Sequence, residues 1–235
     1  MKRDNWIVFV PFYLLVVILF LGIAHTGSQT VTTIHQQKPV QRQNCIIVDA
    51  GHGGIDGGAT SCTGVLESHM NLEIALRLDN LLHFLGYETV MIRRTDESVY
   101  TEGSTIASQK VSDLKERVRI VNETENGLLI SIHQNTFQDR KYSGAQIFYG
   151  KVGESQRLAQ AMQASLISVL NPDSNRKSKP ANGVYLMEHI TAPGILIECG
   201  FLSNPQEEAQ LRNEDYQKKL CAVIAATVSQ HLSGT

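Results

Sequence analysis

The stretch Cys45-Ile46-Ile47-Val48-Asp49-Ala50-Gly51-His52-Gly53-Gly54 decides how the chain folds. Its four leading apolar residues include three β-branched ones, and the run stops at a polar, glycine-rich turn. That is the signature of a short buried strand with functional groups at its carboxyl end. Working outward, similar runs recur at Thr89-Val90-Met91-Ile92, Leu128-Leu129-Ile130-Ser131-Ile132, Ala145-Gln146-Ile147-Phe148-Tyr149 and Ile195-Leu196-Ile197. Between them, Leu72, Ala75, Leu78, Leu82 and Leu85 repeat at helical spacing, and Gly86 supplies the stop. Further helices are expected over 113–122, 154–170 and 216–232. The alternation predicts an α/β fold: one domain with a mostly parallel central sheet and helices on both faces. Such sheets bind ligands at the carboxyl ends of their strands.

With 235 residues, 42% of them hydrophobic, the chain can bury one such core but hardly two. A formal net charge of −2 gives no basic excess of the kind a nucleic-acid partner demands. The four cysteines, Cys45, Cys62, Cys199 and Cys221, are widely spaced, which argues against a four-thiolate zinc site. Cys45, Cys199 and Cys221 read as small buried hydrophobes, and Cys62 as exposed in a loop.

Ahead of this region, Lys2 and Arg3 precede eighteen uncharged residues, Trp6 to Ile23. Residues 1–25 therefore read as a signal-anchor or a cleaved signal peptide. The length favours the anchor, while Gly22-x-Ala24 has the spacing of a cleavage site. Either way the basic flank stays inside and the remainder is exported. Residues 26–43, rich in Thr, Gln and Ser, read as a flexible tether.

Three strand ends carry suggestive groups: His52 after the first, His133 in Ser131-Ile132-His133-Gln134-Asn135, and Glu198 in Ile197-Glu198-Cys199-Gly200. Glu67 opens the first long helix. Two imidazoles and a carboxylate are a frequent protein set for catalytic zinc, which lowers the pKa of bound water to about 7. A further carboxylate is then free to shuttle protons. Spacing alone does not settle this, since a lone histidine at a strand end is more often a hydrogen-bonded bystander.

The stretch Val48-Asp49-Ala50-Gly51-His52-Gly53-Gly54-Ile55-Asp56-Gly57-Gly58-Ala59 resembles the opening motif of the zinc-dependent N-acetylmuramoyl-L-alanine amidases. The resemblance continues through Glu67 with Asn71-Leu72, Arg94-Thr95-Asp96, Leu114-x-x-Arg117 with Asn122, and the His133 segment. It closes with Leu196-Ile197-Glu198-Cys199-Gly200-Phe201-Leu202-Ser203-Asn204. It implies a zinc amidase domain over 44–235, one zinc ion held by His52, Glu67 and His133, and Glu198 as catalytic glutamate. Lys110-Val111-Ser112-Asp113-Leu114, the 142–149 segment and Asn175-Arg176-Lys177-Ser178-Lys179 look like the germination-specific subfamily, which acts on spore-cortex peptidoglycan. That finer likeness implies coupling to a muramic acid deacetylase, which completes muramic-δ-lactam, and a location in the forespore–mother cell intermembrane space or the wall. Whether an accessory protein is needed stays open.

Blander readings stand beside these. His69 reads as a surface residue or as support behind a ligand, His83 as a surface residue, and Arg94 and Arg117 as structural ion pairs. Asp49 either orients a ligating imidazole or forms a turn. Asn135 either contacts substrate or caps backbone, and Arg176, Lys177 and Lys179 either line a solvated loop or meet stem-peptide carboxylates. Rival functions are a vegetative wall amidase, a carboxypeptidase on the stem peptide, for which no arginine clamp is evident, and a non-catalytic wall-binding domain.

Overall fold

The computed structural model describes residues 44–234. The expected membrane segment at 1–25 and the whole of the expected tether, 26–43, lie outside them; among the described residues no helix is long and apolar enough to cross a membrane. The strands are β1 (Cys45–Ala50), β2 (Thr89–Met91), β3 (Gly127–Asn135), β4 (Gln146–Tyr149), β5 (Lys179–Pro180) and β6 (Gly194–Phe201). The helices are α1 (Glu67–Phe84), α2 (Ile106–Glu123), α3 (Ser155–Leu170), α4 (Tyr185–His189), α5 (Pro205–Leu211) and α6 (Glu214–Ser233).

One sheet holds all six strands in the order β2-β1-β3-β6-β4-β5. The first four run parallel, β4 runs antiparallel to β6, and the two-residue β5 runs parallel to β4. The strand pleat sends alternate residues to opposite faces. Ile46, Val48, Ala50, Leu128, Ile130, Ile132, Ile195, Ile197 and Cys199 pack with α1, α3 and α6 in the larger core. Ile47, Leu129 and Leu196 face the smaller core beside α2 and α4. Along that second face the strands change character toward their carboxyl ends: Asp49, Ser131, His133 and Glu198 replace the aliphatics. The β3–β6 register shifts between His133 and Asn135, an irregularity of the kind that re-aims side chains beside active sites.

Two buried arginines hold the loop after β1. Arg93 donates to the carbonyls of Ala50 (2.8 Å), Gly51 (3.0 Å) and Ser68 (2.8 Å). Arg117, on α2, pairs with Asp49 and Asp113 and donates to the carbonyls of Ala50 (3.0 Å) and His52 (2.7 Å). Asp49 also accepts from Ser131 Oγ at 2.6 Å. It thus orients no imidazole and caps no turn, and neither expectation for it holds. Burial would raise its carboxyl, but the charges of Arg117 and His133 and the two hydrogen bonds hold it below the usual range.

Arg117→Met should therefore leave Asp49 buried and uncompensated, costing about 3–5 kcal/mol. Because a lone buried aspartate is penalised only when ionised, the deficit should open as pH rises above about 4 and close below it. Urea titrations at two pH values measure this. Equal stability of the two proteins at pH 7 would refute it.

Candidate metal centre

His52, Glu67 and His133 converge where β1 and β3 end and α1 begins, and one ligand atom from each lies within 4.8 Å of the others. His52 Nε2 is 3.3 Å from Glu67 Oε2, and His133 Nδ1 is 3.1 Å from Glu67 Oε1. The two rings stand edge to face, 5.0 Å between centroids. Glu67 is fixed from several sides. The backbone N–H of Ala59 donates to Oε2 at 3.0 Å, while Gln134 N–H and Asn71 Nδ2 donate to Oε1 at 3.1 and 3.2 Å.

The local sequence explains the crowding. His52 itself sits at φ 60°, a left-handed conformation that turns the chain sharply at the end of β1. Gly51 is required there, because a β-carbon would stand 2.1 Å from His133 Nε2. At Gly58, φ +67°, a β-carbon would stand 2.6 Å from Glu67 Oε2.

The donor set fits a metal ion. His52 Nδ1 is 2.8 Å from Asp56 Oδ2, whose other oxygen accepts from Lys110 Nζ at 2.7 Å. An acceptor at Nδ1 demands the N–H there and leaves the Nε2 lone pair turned toward Glu67, the usual outer support of a ligating histidine. Burial opposes the imidazolium, but hydrogen bonds and charges of Glu67 and then Asp56 outweigh it and push His52 up to about 9. Burial likewise works against the Glu67 anion, but His133 and His52 hold its carboxyl well below the usual range. So strong a preference for positive charge on the ring is what a cation entering between these groups would exploit, displacing the proton.

Glu198 stands beside this cluster, paired in register with His133 on β3 and with Gln146 on β4. Its Oε2 is buried and has no hydrogen-bond partner. Burial pushes its carboxyl up to about 7, with His133 and His52 pulling down and Glu67 pushing up. Such a group holds or releases a proton near neutrality.

The remaining residues fall elsewhere. His69 is exposed and pairs with Asp96 at 2.9 Å, and His83 lies beside Asp79 and Thr89. Arg94 pairs with Asp79. All four cysteines are free: Cys199 and Cys221 are buried, Cys62 is exposed, and Cys45 is only half-buried, because it begins its strand. Asp56 and Arg93 escaped the reading of the sequence. For Asp56 the available signal was its place four residues after His52; Arg93 carries no signal beside its more conspicuous neighbours Arg94 and Asp96.

Asp56→Ala should leave the fold intact and weaken metal binding by roughly 10–100-fold. Competition against a chelator measures this, and an unchanged affinity would remove Asp56 from the support of His52.

The sequence model described as N-acetylmuramoyl-L-alanine amidase matches residues 46–230. A germination-specific N-acetylmuramoyl-L-alanine amidase of Bacillus subtilis is 41% identical over 181 residues, spanning 76% of each chain. Among solved structures, the CwlD amidase of Clostridioides difficile, in complex with the GerS lipoprotein, superposes with a TM-score of 0.78. It is 37% identical and covers 82% of this chain and 100% of its own. An N-acetylmuramoyl-L-alanine amidase of Clostridium difficile 630 follows at TM-score 0.71 and 30% identity, covering 83% and 99%. The chain belongs to the N-acetylmuramoyl-L-alanine amidase family, enzymes that hydrolyse the amide joining the muramoyl lactyl group to L-alanine in peptidoglycan.

Proposed function

We propose that this amidase is zinc-dependent, with His52, Glu67 and His133 holding one ion and Glu198 moving the proton, and that its substrate is spore-cortex peptidoglycan. The observation that carries the chemistry is the convergence of the three donors beside a buried carboxylate oxygen that nothing else engages. When bound, zinc supplies a Lewis acid for the scissile carbonyl and makes water nucleophilic near neutral pH. Glu198 accepts the proton of the attacking water and passes it to the departing L-alanine amine. Asp56 keeps His52 in the tautomer that presents Nε2, and Ala59, Asn71 and Gln134 hold Glu67 in place.

The cortex assignment is supported by the identity to the germination-specific relative. On this reading residues 1–25 carry the protein across a membrane as anchor or signal peptide, 26–43 tether it, and 44–235 do the cutting. The GerS complex of the clostridial relative supports an accessory lipoprotein here, while coupling to a muramic acid deacetylase rests on the family resemblance.

Purified protein should contain about one zinc per chain and release stem peptides from cortex sacculi, leaving intact muramic acid, as read by mass spectrometry of muropeptides. Spores lacking the gene should lack muramic-δ-lactam, because the peptide must leave before the lactam closes. Unchanged lactam together with failed separation of dividing cells would make it a vegetative wall amidase.

A further inference from the structure

A cleft of about 1090 Å³ opens between the 140–146 segment, the 171–179 loop and α5. It lies at the same end of the sheet as Glu198: Gln146, which lines it, is the in-register neighbour of Glu198 on β4. Its charge is lopsided. Arg140, Lys141, Arg176, Lys177 and Lys179 line it, against Asp173 and Glu207. Lys141 is matched by Asp139 and the charge of Arg176 acts on Glu207, but among the described residues Arg140, Lys177 and Lys179 form no ion pair. Glu207 is also engaged by the backbone of two other segments, accepting from Gly144 N–H at 2.7 Å and Phe201 N–H at 2.8 Å.

The cations are also placed rather than merely present. Arg176 lies over the Phe201 ring at 4.8 Å and donates to the Ser143 carbonyl at 2.9 Å. Gln146 Nε2 holds the Lys177 carbonyl at 2.7 Å, fixing the loop that carries Lys177 and Lys179. In a chain of net charge −2, three unmatched cations around one cleft, with Arg176 beside them, call for an anion.

We infer that this cleft is a subsite for the free carboxylates of the leaving stem peptide. The inference rests on the amidase reading above. Lys179, on β5, is two strands from β6, roughly 10 Å at the usual strand spacing. An extended peptide covers that in about three residues. The γ-linked D-glutamate and the third residue of a stem peptide carry their carboxylates at that range from the cut bond. Guanidinium and ammonium groups recognise them through charge-assisted hydrogen bonds.

The test uses full-length protein and synthetic L-alanyl-γ-D-glutamyl-meso-diaminopimelate, with carboxylates free or amidated. Calorimetry should show the free acid binding about tenfold or more tightly than the amide. A Lys177→Gln/Lys179→Gln protein should lose that difference, and on muramoyl-peptide substrate its KM should rise while kcat stays within about twofold. A Lys115→Gln/Lys219→Gln protein, with the same change in net charge outside the cleft, should behave as the parent. Equal binding of free and amidated peptides, or equal losses in the two double variants, would overturn the subsite. Binding with this preference in a protein that cuts no muramoyl amide would instead overturn the amidase reading and leave the subsite standing.

Discussion

Glu198→Gln is expected to keep its metal while turnover falls by roughly 10²–10⁴-fold, the usual worth of a positioned acid–base group. The amide preserves the shape and cannot take the proton. Metal analysis of the variant beside its kcat decides the matter: parallel loss of zinc and turnover would make Glu198 a ligand instead. A second consequence follows from burial. A carboxyl whose folded pKa is raised to about 7 is penalised when ionised, so the penalty is absent below the unfolded pKa near 4.3 and complete above about 7. In protein stripped of metal, the substitution should therefore raise the melting temperature at pH 8 and leave it unchanged at pH 4. The gain should be on the order of 3–4 kcal/mol.

His133→Ala should go further and abolish both tight zinc binding and activity. It removes one of three protein donors, and it empties the space above Gly51 that the imidazole ring fills. It also withdraws one of the groups that meet Glu67 Oε1, so the remaining pair of donors is less well held. Inductively coupled plasma measurement after dialysis should find less than about a tenth of an ion per chain, whereas Glu198→Gln should retain about one. Full occupancy in His133→Ala would sink the ligand assignment.

Much of this architecture was legible from the residues. The strands β1, β2, β3, β4 and β6 lie where short apolar runs predicted them, most plainly in β1, β3 and β6, where burial on both faces demands such runs. The structure also brings His52, Glu67 and His133 together, with Glu198 alongside, as residues at strand ends and beside glycine should be. What escaped is what lacks an apolar pattern. Helix α2 begins at Ile106, seven residues before the expected 113, because its first turns are exposed and held by a Thr105–Ser108 capping box rather than by an apolar stripe. The short α4 and α5 carry too few turns to show a period, and Lys179–Pro180 gives no strand signal at all. The antiparallel sense of β4 is a matter of topology that its own residues do not encode. The role expected for Asp49 went instead to Asp56, since a strand residue facing Arg117 cannot also reach the histidine's outer nitrogen.

The two border strands bear on how the enzyme behaves at high concentration. A sheet margin with free N–H and C=O groups is a template on which another molecule can build, the first step toward fibrils and strand exchange. Here one margin is three residues long, and the other is two residues long and ends in Pro180, which has no N–H to offer. Neither is long enough to register a foreign strand. The domain should therefore tolerate crowding, and prolonged incubation of concentrated folded protein should yield no thioflavin-positive material.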